Sequence, residues 1–223
     1  MSLFDKLKNQ AVGAAGQAAS RFGGQAAGWV AGQAVGAAGQ AMGQAAQNLA
    51  SAGAGGKSVS AVFASIPSSL AEFAALPQAA MQSPFDTAAL FIVALGMYKV
   101  DKNVSISMIN HLKGPQPLNQ HDLSFLADRM AQNSKADFIA ESYFNGATPQ
   151  NNYAPAEPYT VVIEENPYSY QEQGCARLHV RSGGADNTRA ITLRSAKDGK
   201  WYLWEYSSIL LDIRAPESTN PWN

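Results

Sequence analysis

The sequence contains a single cysteine, Cys175, among 223 residues. One cysteine cannot form an intramolecular disulfide, and it rules out every CxxC metal or redox motif. An excess of either charge is also lacking, because 16 Lys and Arg residues face 17 Asp and Glu residues, for a formal net charge of −1. Proteins that bind nucleic acid through its phosphates normally carry a basic patch, so we expect no nucleic-acid partner.

The first quarter of the chain lacks both proline and charge. Residues 9–56 contain no proline and one charged residue, Arg21, and they consist almost entirely of Gly, Ala and Gln. Near Lys57 the composition changes to that of an ordinary globular domain. This change divides the chain into a low-complexity tail, residues 1–57, and a domain, residues 58–223.

A row of small residues is the main feature of the tail. One occurs at every fourth position: Gly16, Ser20, Gly24, Gly28, Gly32 and Gly36. On a helix these positions lie on one face and form a groove in which a second backbone can approach closely, as in GxxxG pairs. Trp29 follows Phe22 by seven residues, which also keeps helical spacing. The pattern predicts a glycine-zipper helix in which the row and Trp29 mediate homo-oligomerisation.

Two other interpretations of the tail stay open. Glycine-rich tracts are typical of flexible linkers, since glycine costs a helix about 1 kcal/mol relative to alanine. The uncharged residues 22–50 are long enough to cross a bilayer, although five glutamines would have to leave water. Residues 3–8 (LFDKLK) could form a short amphipathic membrane anchor, but they do not resemble a secretory signal. We therefore expect a cytoplasmic protein, with membrane association as the alternative.

The first half of the domain has the signals of helices. Residues 59–81 look helical in pieces, interrupted by Pro67 and Pro77. The sequence Ser-Pro-Phe-Asp at 83–86 is typical of a helix start, and the apolar residues 88–98 predict a buried central helix. Further helices are predicted at residues 105–112, 119–132 and 134–143. Four helices are thus expected before any strand.

The second half has the signals of strands. They are predicted at residues 159–165, 176–181, 189–194 and 201–206. Their alternation and the Asp198-Gly199 turn indicate an antiparallel meander. The expected fold class is therefore α+β: four or so helices followed by a four-stranded antiparallel meander, preceded by the helical tail.

Several distinctive stretches resemble an uncharacterised bacterial family, a domain of unknown function. They are residues 142–149 (SYFNGATP), 151–155 (NNYAP), 166–170 (NPYSY), 182–186 (SGGAD), 200–205 (KWYLWE) and Pro221-Trp222. The resemblance covers about residues 70–222. It implies domain limits and a bacterial origin, and it implies no particular activity.

Few residues suggest chemistry. Cys175 and His179 lie four apart on a predicted strand and face the same side, but no third ligand is indicated, so we expect no metal, cofactor or catalytic site. The loop at Gly183 and Gly184, with Arg189 nearby, could form a backbone nest for an anion or simply a hairpin turn.

Aromatic residues are the better indication of binding. Tyr202, Trp204 and Tyr206 alternate along the last predicted strand, so all three should share one face, as a protein-binding patch or as core. Together these observations favour a non-enzymatic structural or adaptor protein that self-assembles through its tail and presents its domain to a protein partner. The alternatives are a membrane-associated oligomer anchored by the tail, and a small anion-binding domain or enzyme that uses the loop at 182–186.

Overall fold

The computed structural model describes residues 56–219, which form an α+β domain, as predicted. In chain order its strands and α-helices are β1 (Ser58–Phe63), α1 (Leu70–Ala74), α2 (Pro84–Gly96), α3 (Lys102–Lys113), α4 (Gln120–Ala131), β2 (Tyr159–Glu164), β3 (Cys175–Val180), β4 (Arg189–Ser195) and β5 (Trp201–Glu205). The predicted glycine-zipper row and Trp29, together with Pro221-Trp222, lie outside the described residues. Among residues 56–219, no helix has the length and apolar character that a membrane span needs.

The five strands form one antiparallel sheet in the order β1-β2-β3-β4-β5. The predicted meander corresponds to β2–β5, with the ends of these strands displaced by at most one residue. All four α-helices are inserted between β1 and β2. The sheet is therefore a meander whose first strand is separated from the others by the whole helical layer.

Strand β1 corrects the prediction for the first residues of 59–81, and with it the prediction that four helices precede any strand. Further along this region α1 and a 3₁₀ helix, Pro77–Ala80, are the predicted helical pieces. Ser58–Phe63 pairs along its whole length with β2, from Ser58 opposite Glu164 to Phe63 opposite Tyr159. The sequence SVSAVF does alternate, but the Ala-rich residues that follow it favour helix locally. A partner strand about 100 residues away decides the structure, and local propensity carries no information about it.

The predicted helix at 134–143 is the second correction. Two 3₁₀ segments, Gln132–Asp137 and Glu141–Tyr143, occupy this region. Ser134 has a left-handed φ of 54°, which an α-helix cannot contain. The chain is held by tertiary contacts instead, since the Tyr143 hydroxyl donates to the Ile209 carbonyl at 2.7 Å.

The helix starts follow from local capping. Ser83 accepts from the Phe85 N–H and places Pro84 at the first position of α2. Asn119 and Asp122 form a reciprocal capping box at the start of α4, where the sequence predicts a helix to begin. Helix α3 begins three residues earlier than predicted because the Asp101 carboxylate accepts from two N–H groups of its first turn.

Helix α2 lies at the centre of the domain. Every residue from Pro84 to Leu95 is buried except Asp86, which is half-buried, and the helix contacts all five strands as well as α3. The burial of Asp86 raises the pKa of its carboxyl group. The inner face of the sheet packs against this layer, whereas Ser60, Arg177 and Arg194 on the opposite face are exposed.

A glycine controls how α3 meets the sheet. Gly114 ends α3 with a φ of 56°, and a Cβ at this position would lie 2.1 Å from Cε1 of Tyr202. The ring of Tyr202, on β5, therefore lies directly against the backbone at the end of α3. Glycine is required here both for its φ and for the close approach.

We predict that Gly114→Ala lowers the free energy of unfolding by about 3 kcal/mol, because it combines backbone strain with a steric overlap. Gly199→Ala is the matched control: its φ is 79°, but nothing lies within 4 Å of a Cβ there. The control should cost about 1 kcal/mol, from strain alone. Urea unfolding of both variants measures the difference, and equal losses would contradict the packing role of Gly114.

Candidate functional site

Trp204 is an exposed aromatic side chain on the sheet. It lies in β5 and is 42% exposed. The Arg194 guanidinium, on the neighbouring strand, stacks over its ring with Cζ 4.7 Å from the ring centroid. Such a contact holds the ring in one orientation while leaving part of its surface in contact with solvent. Trp204 is thus an ordered apolar surface rather than part of the core.

A β-bulge separates the three aromatic residues that alternation places together. Leu193 pairs with Leu203 and Thr192 with Glu205, so Trp204 is an additional residue in β5. The prediction that Tyr202, Trp204 and Tyr206 share one face is therefore wrong. Tyr206 lies in the core, 6% exposed, with its ring centroid 4.9 Å from that of Phe91. Burial also raises the pKa of its hydroxyl group.

Tyr202 supports the structure around Trp204. Its ring is half-buried against Gly114, and its hydroxyl donates to Asp198 Oδ2 at 2.7 Å in the β4–β5 turn. This hydrogen bond lowers the pKa of Asp198 and raises that of Tyr202. Of the three predicted partner-binding residues, only Trp204 is exposed, since Tyr202 is half-buried and Tyr206 is buried.

Two shallow depressions adjoin Trp204, and Lys113 lines both of them. The first has a volume of about 310 Å³ and is also lined by the cationic side chain of Arg194. The second has a volume of about 170 Å³ and adds the carboxylates of Asp122 and Glu205. The indole is therefore flanked by a basic depression and by one with acidic groups, an arrangement that suits a polar peptide with an apolar anchor.

The predicted anion nest is occupied by the protein itself. The Gly183 N–H donates to the Ser142 carbonyl at 2.8 Å, and the Gly184 N–H donates to Ser182 Oγ at 3.1 Å. A Cβ on Gly183 would lie 1.9 Å from the Ala147 carbonyl oxygen, so the glycine allows close packing of two backbones. Neither N–H group is available to an external anion.

Arg189 has a similar structural role. Its Nε donates to the Leu211 carbonyl at 3.1 Å and its Nη2 to the Asp212 carbonyl at 2.8 Å. The guanidinium therefore fixes the segment that follows β5. Gly183, Gly184 and Arg189 therefore all bind other parts of the domain, and they do not form a ligand site.

Cys175 and His179 lie on the same face of β3, as the alternation predicts, and the structure places this face opposite the helices. Cys175 is buried, and this burial raises the pKa of its thiol. A hydrogen bond with Glu172 raises the pKa further, by a smaller amount. Burial also lowers the pKa of His179. Within residues 56–219, no three His, Cys, Asp or Glu side chains are grouped so that they could hold a metal ion.

Sequence reasoning missed one groove, with a volume of about 510 Å³, beside the end of α2. Lys99 and Glu141 form an ion pair there, and Lys99 Nζ also donates to the Asp137 carbonyl at 3.4 Å. Glu141 Oε2 is buried and has no hydrogen-bond partner among the described residues. The ion pair comes from residues 42 apart in the chain, so no local pattern indicates it.

One wall of this groove has unusual backbone geometry. Asn152 and Tyr153 have φ angles of 54° and 57°, and they belong to the NNYAP stretch singled out in the sequence. The Tyr153 hydroxyl donates to the Arg214 carbonyl at 2.6 Å, and burial raises its pKa to about 12. This side chain therefore stays neutral at physiological pH and serves as a structural hydrogen-bond donor.

We predict that Cys175 reacts at least about tenfold more slowly with Ellman's reagent at pH 8 in the native protein than in urea, because burial and a raised thiol pKa both reduce attack by the thiolate. As a matched control, a Cys175→Ser/Arg177→Cys variant moves the thiol to an exposed position two residues along the same strand. That thiol should react rapidly in the native state. Fast native labelling of Cys175 would contradict its structural role.

Comparison with known proteins adds the family. No curated protein and no solved structure matches the chain. A family model described as a domain of unknown function (DUF6935) matches residues 65–217. The match includes all four helices and β2–β5, whereas β1 lies before it. Because more than half of the sequence is matched, the chain belongs to the DUF6935 family of domains of unknown function.

Proposed function

We propose that the protein is a structural or adaptor protein that self-assembles through its N-terminal tail and presents its α+β domain to a protein partner. The observation that carries the partner-binding part is Trp204, an exposed indole held in place by Arg194. The part that concerns assembly depends on the small-residue row from Gly16 to Gly36. The proposal involves no catalysis.

The energetics of interfaces favour Trp204 as an anchor. Tryptophan is among the residues that contribute most to protein–protein binding, often 2 kcal/mol or more per side chain. Ordering a free side chain on binding costs about 0.5–1.5 kcal/mol, and the contact with Arg194 reduces that cost for Trp204. An indole that is both exposed and already oriented is therefore suited to bind a partner.

The neighbouring charges suggest how a partner would be oriented. Lys113 lines both depressions, Arg194 adds a second cation to one of them, and Asp122 and Glu205 add carboxylates to the other. A peptide that places an apolar residue against Trp204 could present an acidic group on one side and a basic group on the other. Charge complementarity of this kind specifies direction more than it adds affinity.

The assembly part depends on close approach of tail helices. A small residue at every fourth position would leave a groove in which van der Waals contact between two backbones becomes possible. Such helices associate when their faces match, in water or in a membrane. We propose the lipid-free association because the five glutamines of residues 22–50 make hydrocarbon an unfavourable environment.

We predict that Gly28→Leu/Gly32→Leu lowers the mass of the full-length protein in light scattering, because two leucines prevent close approach along the row. The matched control is Ala26→Leu/Ala34→Leu. These positions lie two residues from the row glycines and thus on the opposite helix face. The control adds the same apolar bulk and should keep the wild-type mass.

Two outcomes would contradict this part of the proposal. A monomeric wild-type chain excludes self-assembly, and equal masses for both double variants exclude the row as the interface. Protein that is soluble only in detergent would instead favour the membrane-anchored alternative.

We predict that a photo-cross-linking amino acid in place of Trp204 forms an adduct with a second polypeptide in cells that naturally make the protein. Mass spectrometry identifies the adduct. Tyr168 is the control position, because it is 68% exposed and lies in the loop before β3. The same amino acid there should give no such adduct. The same adducts at both positions, or none from position 204, would count against a partner surface at Trp204.

A further inference from the structure

Strand β1 is an edge strand of the sheet that residues 56–219 form. It bonds to β2 on one side, and among residues 56–219 no strand pairs with its other side. The opposite edge of the sheet is different. At the start of β5 the Trp201 N–H donates to the Met81 carbonyl at 2.9 Å, and the Trp201 carbonyl accepts from Thr87 Oγ1 at 2.6 Å. The segment before α2 and the first turn of α2 thus cap the start of the β5 edge, whereas no such bond to β1 from elsewhere in residues 56–219 is found on its outer side.

The hydrogen bonds of β2 show which backbone groups of β1 face outward. The Glu165 N–H donates to the Lys57 carbonyl at 2.9 Å, so residues 57 and 165 form a hydrogen-bonded pair. Bonded pairs alternate along an antiparallel ladder. The backbone groups of residues 59, 61 and 63 therefore point toward β2, and those of Ser58, Ser60 and Val62 point away from it.

The other side of β2 supports this assignment independently. The Thr160 carbonyl accepts from the Asn145 N–H at 2.8 Å, and the Val162 carbonyl accepts from the Arg181 N–H at 3.1 Å. The even-numbered residues of β2 therefore use their backbone groups away from β1. Thr160 and Val162 lie opposite Val62 and Ser60, whose backbone groups must consequently face the open edge.

This open edge lacks the features that normally prevent strand pairing. Natural edge strands carry charged residues, proline or a bulge, or they are very short. The six residues of β1, SVSAVF, contain no charge and no proline, and their register with β2 is continuous. Ser60 is exposed and Val62 is 39% exposed. The edge is therefore a template for another strand.

We infer that two copies of this chain pair through β1, antiparallel and around a two-fold axis at Ser60, to form a continuous ten-stranded sheet. In this register Ser60 lies opposite Ser60 of the second copy, and Ser58 lies opposite Val62. All three outward-facing residues of each copy are then paired. With one N–H and one C=O each, they form six hydrogen bonds between the copies.

The side chains also fit this register. On the inner face, half-buried Val59 lies opposite Ala61 of the second copy, which extends the core across the axis. No like charges meet, because Lys57 lies opposite Phe63 of the second copy, and its Nζ lies 5.0 Å from the centroid of the Phe85 ring. Every pair is small, apolar or a serine hydroxyl, so the strand is complementary to itself.

The position of β1 in the chain favours a second copy as its partner. The strand begins at Ser58, immediately after the tail, and precedes the matched family region at 65–217. Any association of tails would hold β1 edges of neighbouring chains at a high effective concentration. The inference goes beyond the proposed function, because it adds a second interface that requires no tail contact.

The test uses the full chain with Gly28→Leu/Gly32→Leu, so that tail association is suppressed. Ser60→Pro removes an outward N–H and no bond to β2, and proline is tolerated on such edges. Light scattering should give the mass of a dimer for the Gly28→Leu/Gly32→Leu chain itself and for the same chain with the control substitution Ser60→Ala. It should give half that mass for Ser60→Pro. Circular dichroism and the thermal midpoint confirm that the domain remains folded.

Charge exchange at the axis tests the register even if Ser60→Pro fails to fold. Ser60→Lys and Ser60→Glu each place like charges opposite one another, about 5.5 Å apart at Cα, so each variant should be monomeric alone. An equimolar mixture should restore the dimer. A monomeric unmodified edge, a dimeric Ser60→Pro or a mixture that stays monomeric would each overturn the inference.

The two interfaces fail separately. If Gly28→Leu/Gly32→Leu leaves the wild-type mass unchanged, the tail interface of the proposed function fails. The inference about β1 is then tested in the chain with the wild-type tail, where Ser60→Pro should halve the mass.

Discussion

The burial of α2 is the constraint on which the rest of the domain depends. A helix that is apolar on almost every side must be surrounded, because each large side chain left in water would forfeit about 1.5–3 kcal/mol. The sheet covers one side, where all five strands contact the helix, and α3 covers another. Polar side chains align these layers, as in the 2.7 Å hydrogen bond from Ser105 Oγ to the Ala94 carbonyl. The central helix thus joins the sheet to the rest of the helical layer.

Because the helices cover one face of the sheet, the groups that a partner could reach lie near the two edges of the sheet. Trp204 lies where the bulge disturbs β5, and the open backbone groups lie on β1 at the other edge. The loops that carry much of the family resemblance are directed inward instead. Gly183 packs against Ala147, and a Cβ on Gly184 would lie 2.2 Å from the Tyr153 hydroxyl oxygen. Three distinctive stretches therefore meet in one closely packed place, where they determine the shape of the domain.

Elements with local signals could be predicted from the sequence. The Ser83-Pro84 start, the capping box at Asn119 and the Asp198-Gly199 turn each act within a few residues, and the structure contains all three. Strand β1 could not be predicted, since β2, the strand that it pairs with among residues 56–219, lies beyond all four helices. The same limit applies to the site. Alternation identified Trp204, but the bulge that directs Tyr206 into the core depends on how β4 and β5 pair.

The separation of β1 from β2 has a consequence during protein synthesis. The 95 residues between Phe63 and Tyr159 take about 5 to 20 seconds to translate at ordinary rates. Strand β1 therefore leaves the ribosome that much earlier than β2, and until β2 follows, neither edge of β1 has a partner from its own sheet. Ribosomes that follow one another on a messenger RNA hold several such strands close together. The topology thus provides a period in which neighbouring nascent chains can meet before each domain is complete.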